Sequence, residues 1–177
     1  SAYRLEELAQ DALAVLDDVG LGSAHVVGHD WGGGLAWYLG TDHPARVRSL
    51  TVLSTPHPSA LARSMLGSLQ PLKSWYMALI QLPLLPEAVL ARTLGATLRA
   101  SGLPDDVAAE YASRFDAPEA LRGPLAWYRA AARHPPLHLV RGAQVIGIPT
   151  TYVCGRHDPA LGRAAADATA RYVTGAE

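Results

Sequence analysis

The run His25-Val26-Val27-Gly28-His29-Asp30-Trp31-Gly32-Gly33-Gly34 constrains this chain more than any other segment. Ala24 to Val27 is a short, mostly apolar stretch that reads as a buried strand closing on Gly28, and a helical pattern runs from Gly33 to about His43, where Pro44 stops it. Gly-x-Asp-x-Gly therefore falls where a strand turns sharply into a helix. Asp30 is at the centre, and the small residues two places to either side let the backbone pack closely. Upstream, Leu5, Leu8, Ala12, Val15, Leu16 and Val19 recur at three- and four-residue spacing, an amphipathic helix ended by Gly20 and Gly22. Downstream, Val47 to Leu53 and Ile148 to Cys154 read as strands, and Arg163 to Val173 as a final helix. Helix, strand, helix, strand predicts a parallel α/β layer.

Between Pro58 and about His138 no β-rich run occurs. Prolines such as Pro83, Pro86, Pro104, Pro118 and Pro124 divide this stretch, which predicts several short helices with breaks between them. The predicted organisation is an α/β core over 1–57, an all-helical insert over 58–138, and a return to the core over 139–177.

Composition narrows the function classes. The chain has 177 residues, 49% of them apolar and 18% charged, which is enough for one globular domain with a sizeable core. With 15 basic against 16 acidic residues there is no positive field to hold a phosphate backbone, so nucleic acid is excluded as an expected partner. The most apolar stretch, Met77 to Leu90, is interrupted by Gln81, Pro83, Pro86 and Glu87 and falls short of the ~20 residues that span a bilayer, so no membrane partner is expected. Cys154 is the single cysteine, which excludes an internal disulfide framework and a Cys-based zinc site and predicts a reducing compartment, the cytoplasm. The pairs His29-Asp30 and His157-Asp158 lack further ligands at helical spacing, so neither a metal nor another cofactor is expected.

Asp30 has the layout of a nucleophile elbow, in which the central side chain stands exposed on a strained strand-to-helix bend. A carboxylate is already ionised at neutral pH and is favoured by the N-terminus of the following helix, so it attacks without a base to take its proton. Attack on a saturated carbon bearing a leaving group gives an alkyl ester that water can hydrolyse. Epoxides and alkyl halides fit that requirement, and peptides fit it badly. The alternative is an Asp that merely caps the next helix. Asp158, in Gly155-Arg156-His157-Asp158-Pro159, lies just past the last strand, where sites form in open parallel sheets. There it could orient a histidine that activates water, or serve only as a turn residue before Pro159.

Three segments together resemble the epoxide hydrolase branch of the α/β-hydrolase fold superfamily: Val27 to Gly33, Ser54-Thr55-Pro56-His57-Pro58, and Gly155 to Pro159. The order is right over nearly the whole chain. Within the insert, Trp75-Tyr76-Met77-Ala78-Leu79-Ile80-Gln81-Leu82-Pro83 and Trp127-Tyr128-Arg129 resemble the two tyrosine segments of that family's helical cap. The resemblance implies an α/β fold with parallel strands, flanking helices and an inserted cap. It also implies an enzyme that opens a small apolar epoxide to a vicinal diol, with Asp30 as nucleophile and Asp158 as the acid. Tyr76 and Tyr128 would then donate to the epoxide oxygen, where charge develops as the ring opens. Trp31 matches the oxyanion-hole position, and His29 is grouped with it as a pocket residue. Each tyrosine taken singly could equally be an aromatic packed on a cap helix.

Haloalkane dehalogenases share the Asp-Trp pair, so a dehalogenase on the same framework is the first alternative, and a noncatalytic ligand-binding protein of this fold is the second. The family also places a His-Gly-x-Pro segment well before the elbow and a catalytic histidine after one more strand beyond the acid. Neither is matched here, and neither His138 nor His157 fits the missing base. The sequence is therefore expected to be the central portion of a longer enzyme, incomplete as a catalyst, with a narrow sheet and an unpaired edge. Nothing in it indicates an oligomeric state.

Overall fold

The parallel layer predicted from the alternating patterns is a three-stranded sheet in the order β1-β2-β3, formed by β1 (Ala24–His29), β2 (Val47–Leu53) and β3 (Thr150–Val153). In this computed structural model residues 2–67, 72, 74–141, 145–156, 158 and 160–174 are described. Both strand pairings are parallel, and among the described residues β1 and β3 each pair on one side only. The link from β1 to β2 runs through α2 (Trp31–Asp42), which buries Gly33 and every residue from Ala36 to Gly40. A helix apolar on nearly every side belongs inside a protein, and α2 lies in the main core, where Trp37 is fully buried and Leu50 and Val52 of β2 pack nearby.

Helix α1 (Leu5–Asp18) covers this core with a different stripe from the one its spacing suggested. Ala9 and Leu13 are buried, with Leu5, Ala12 and Leu16 against them, whereas Val15 and Val19 are 63% and 59% exposed. The stripe drifts because 3.6 residues per turn admits two neighbouring faces, and only the partner surface selects between them. The predicted strand from Ile148 is shorter, beginning at Thr150 after Pro149. The final helix α9 (Arg163–Thr169) tightens to a 3-10 turn over Ala170–Tyr172.

The chain divides into two compact units, residues 1–74 with 134–177, and residues 75–133. The first extends past the predicted boundaries at 58 and 138 because α3 (Pro58–Gly67) and α8 (Leu137–Arg141) pack with the α/β layer. Ser59 Oγ donates to the Leu139 carbonyl at 2.5 Å, and the His57 N–H donates to Thr169 Oγ1 at 3.1 Å. The second unit is wholly helical in its described elements, α4 (Trp75–Ile80), α5 (Leu85–Ala100), α6 (Asp105–Arg114) and α7 (Arg122–Arg133). Ile80, Leu121 and Leu125 form its small core, against which Leu90 and Phe115 pack. Among the described residues no helix is long and apolar enough to cross a membrane.

His57, between Pro56 and Pro58, is a core residue at 1% exposure. Its ring stacks on Tyr172 at 4.6 Å and meets Trp37 edge-on at 5.3 Å. Nδ1 accepts from the Ser59 N–H at 3.2 Å, while Nε2 is buried without a partner. Burial disfavours the imidazolium and lowers the His57 pKa to about 4. Because the unfolded chain takes up this proton near its ordinary value of about 6.5, the contribution of His57 is complete above that pH and is lost as pH falls toward 4. The loss amounts to roughly 3 kcal/mol. Urea unfolding at a series of pH values should show this acid limb, and in His57→Phe the fall between pH 6.5 and 4 should be shallower.

Candidate active site

Asp30 occupies the single residue between β1 and α2, with φ 51° and ψ -119°. A non-glycine residue there stores strain on the order of 1–3 kcal/mol, which persists only where the surroundings over-determine it. Here they do. A Cβ on Gly28 would overlap the Gly32 carbonyl oxygen and come within 2.8 Å of Ala36 Cβ, and one on Gly33 would lie 2.9 Å from Thr55 Cβ. A Cβ on Gly32 would meet nothing within 4 Å. The pair that permits the bend is thus Gly28 and Gly33, not Gly28 and Gly32 as the symmetric motif implied.

The carbonyl of Asp30 is held twice, by Thr55 Oγ1 at 2.6 Å and by the Gly34 N–H at 3.1 Å. Its side chain makes no capping hydrogen bond to α2, so the capping alternative does not describe it, and the residue is exposed. His29 is exposed at the end of β1, and Trp31 is half-buried at the first position of α2.

Register brings the strand ends level. His29 pairs with Leu53, and Leu53 with Val153, so the residues that follow each strand lie along one edge of the sheet. Ser54, at φ 66°, donates its N–H to the Val153 carbonyl at 2.8 Å and accepts from the Tyr152 hydroxyl at 3.0 Å. Burial, then the neighbouring Cys154 and Asp158, pushes the Tyr152 phenol well above its ordinary value, which keeps it a donor. Beyond β3, Asp158 Oδ1 accepts from the backbone N–H groups of Ala160 and Leu161 at 2.8 and 2.9 Å. Asp158 also lines a pocket of about 430 Å³ with Ser54, Tyr152, Cys154, Arg156 and Arg163. Cys154 lies just past β3 and is half-buried. His157 and Pro159 lie outside the described residues.

Asp30 and Asp158 thus share a sheet edge within the first unit, although Asp30 is not among the residues lining the pocket. In the second unit the two tyrosines meet each other. Tyr76 of α4 and Tyr128 of α7 pack on its core with ring centroids 6.1 Å apart and planes at 72°. No group of three or more His, Cys, Asp or Glu side chains that could hold a metal ion occurs among the described residues. Sequence reasoning missed Thr55 and Tyr152 as supports of the edge. The only signal was their position, one just after a strand and the other inside one.

Residues 1–175 match a protein family described as alpha/beta hydrolase fold. The chain belongs to that family. Among curated α/β-hydrolase relatives, it is 33% identical over 180 residues to AB hydrolase superfamily protein YfhM of Bacillus subtilis (strain 168), covering 97% of this chain and 62% of the relative. It is 32% identical over 185 residues to Epoxide hydrolase 3 of Xenopus tropicalis, covering 97% of this chain and 49% of the relative. The crystal structure of an epoxide hydrolase from Bacillus megaterium in complex with an inhibitor superposes with a TM-score of 0.77 at 24% identity, over 97% of this chain and 66% of that one, a likeness of fold. The chain therefore spans less than two thirds of the length of these α/β-hydrolase proteins.

The glycine geometry makes a prediction that the motif alone does not. Gly28→Ala should destabilise the protein by about 1–3 kcal/mol, since backbone of α2 cannot give way to the methyl group. Gly32→Ala should leave stability unchanged or raise it by up to ~1 kcal/mol by restricting the unfolded chain. Chemical denaturation of the two variants beside the parent tests the contrast.

Proposed function

We propose that this chain carries the ring-opening chemistry of an epoxide hydrolase, forming on Asp30 the alkyl ester of a small apolar epoxide, which a base-activated water would hydrolyse to a vicinal diol. The observation that carries the reading is the strained backbone of Asp30 at a strand-to-helix bend, with a side chain that does not cap the helix. The similarity to Epoxide hydrolase 3 supports the same class of substrate.

In the proposed reaction an Asp30 carboxylate oxygen attacks a ring carbon, the C–O bond breaks, and its electron pair remains on the epoxide oxygen. Tyr76 and Tyr128, on the helical cap, donate hydrogen bonds to that oxygen, and one supplies the proton that completes the alcohol. In the complete reaction water then attacks the ester carbonyl, one water proton returns through the activating base to the phenol, and the diol and the Asp30 carboxylate are released. The Trp31 N–H stabilises the tetrahedral oxyanion of this second step, and His29 adjoins Asp30 at the end of β1. In that step Asp158 would orient a water-activating histidine that is not among the described residues. His57 does not fit that part, being sealed in the core, and His138 pairs with Asp42 at 3.0 Å. The chemistry calls for no metal and no organic cofactor, and its single half-buried thiol suits a reducing compartment such as the cytoplasm.

Mass spectrometry of the folded chain after exposure to styrene oxide should find one adduct, mapped to Asp30 and absent from Asp30→Asn. Folded protein that stays unmodified would overturn the reading. The adjacency of Asp30 and Trp31 favours a second reading, dehalogenation on the same carboxylate. That alternative predicts halide release from an alkyl halide at a rate insensitive to Tyr76→Phe and Tyr128→Phe.

A further inference from the structure

Within the second unit, Glu87 and Arg129 form a bidentate ion pair across 42 positions of sequence. Arg129 Nη1 donates to Glu87 Oε1 at 2.5 Å and Nη2 to Oε2 at 3.0 Å, and Glu87 is only 3% exposed. The same guanidinium donates through Nε to the Ile80 carbonyl at 3.0 Å and through Nη2 to the Leu82 carbonyl at 2.9 Å. Those carbonyls lie at and just beyond the end of α4, the helix that bears Tyr76, and Arg129 follows Tyr128 directly on α7. Gln81 adds a second tie, with Nε2 donating to Met77 O at 3.1 Å and to Tyr128 O at 3.4 Å.

This arrangement is costly to build for stability alone. Burying an ion pair often gains nothing over packed apolar side chains, whereas it does specify one geometry among several close alternatives. A helix of six residues such as α4 also has little intrinsic stability, so its position depends on such ties. The hydrogen bonds from Arg129 hold the Glu87 carboxyl below the usual carboxylate range, so the pair stays charged across the working pH.

We propose that Arg129, Glu87 and Gln81 are positioning residues that fix the separation and angle of the Tyr76 and Tyr128 phenols, so that both hydroxyls address a single substrate oxygen. The proposal rests on the epoxide-opening reading above and assigns these three residues no contact with substrate. Two donors aimed at one developing charge tolerate little misplacement, so loosening the clamp should slow ring opening without weakening capture of the epoxide.

The test is single-turnover alkylation of Asp30 by styrene oxide, followed by mass spectrometry over a range of epoxide concentrations. The parent, Glu87→Gln, Gln81→Met, the double variant Tyr76→Phe/Tyr128→Phe, and each clamp substitution in that double background are compared. Glu87→Gln and Gln81→Met should lower the saturating rate, by about tenfold for Glu87→Gln, with the half-saturating concentration unchanged. Both effects should vanish in the double-Phe background, because a residue that acts only through the phenols has nothing left to position. A slowing that persists undiminished in that background, or a folded Glu87→Gln protein as fast as the parent, would overturn the proposal. Should Glu87→Gln fail to fold, Gln81→Met carries the same comparison. A double-Phe protein as fast as the parent would remove the phenols from the chemistry and the clamp with them, while Asp30 alkylation itself would still stand. Absence of any adduct would instead overturn the underlying reading together with the clamp.

Discussion

The approach of α2 to β1 and β2 is closer than side chains allow, and the rest of the site depends on it. Gly28 lies against the Gly32 carbonyl and Gly33 against Thr55, and in that confined space residue 30 takes a backbone form that a free chain would leave. A short relay of hydrogen bonds locks the bend. Trp37, buried on α2, donates its indole N–H to the Thr55 carbonyl at 3.0 Å, and Thr55 in turn holds the carbonyl of Asp30. Tyr152 and Val153 hold Ser54 beside it, so the ends of three strands are tied into one edge. The strained residue is rigid because core burial on one side and strand pairing on the other leave it no slack.

The two units bury titratable groups in opposite ways. His57 is kept neutral between aromatic rings, with one ring nitrogen accepting a backbone N–H and the other unpartnered, so its presence links folding to pH. Glu87 is kept charged by a guanidinium that meets both its oxygens, so its burial introduces no titration in the working range. Desolvation acts on both groups. The outcome differs because a paired carboxylate recovers its solvation from the partner, whereas an imidazole without a counter-ion releases its proton.

Membership of the α/β-hydrolase fold family accounts for the order of the strands and for the edge along which Asp30, Ser54 and Asp158 fall, but a fold does not select a reaction. The residue at the bend narrows the choice. Under the proposed reading a carboxylate there needs no base to become a nucleophile and suits attack on electrophilic carbon better than acyl transfer.

The sequence by itself determined what is local. The strand, bend and helix around Asp30, the strand from Val47 to Leu53, and the proline-divided helices between the two parts of the α/β layer follow from side-chain periodicity and from glycine and proline chemistry within a few residues. Tertiary structure alone decided which face of α1 is buried, which two glycines the bend requires, that His57 is a core residue, and that Thr55 grips Asp30. It also decided the pairing of Glu87 with Arg129 and of Tyr76 with Tyr128. Each of these depends on what a distant segment presents at a given distance, and such meetings leave no periodic trace in the chain that makes them.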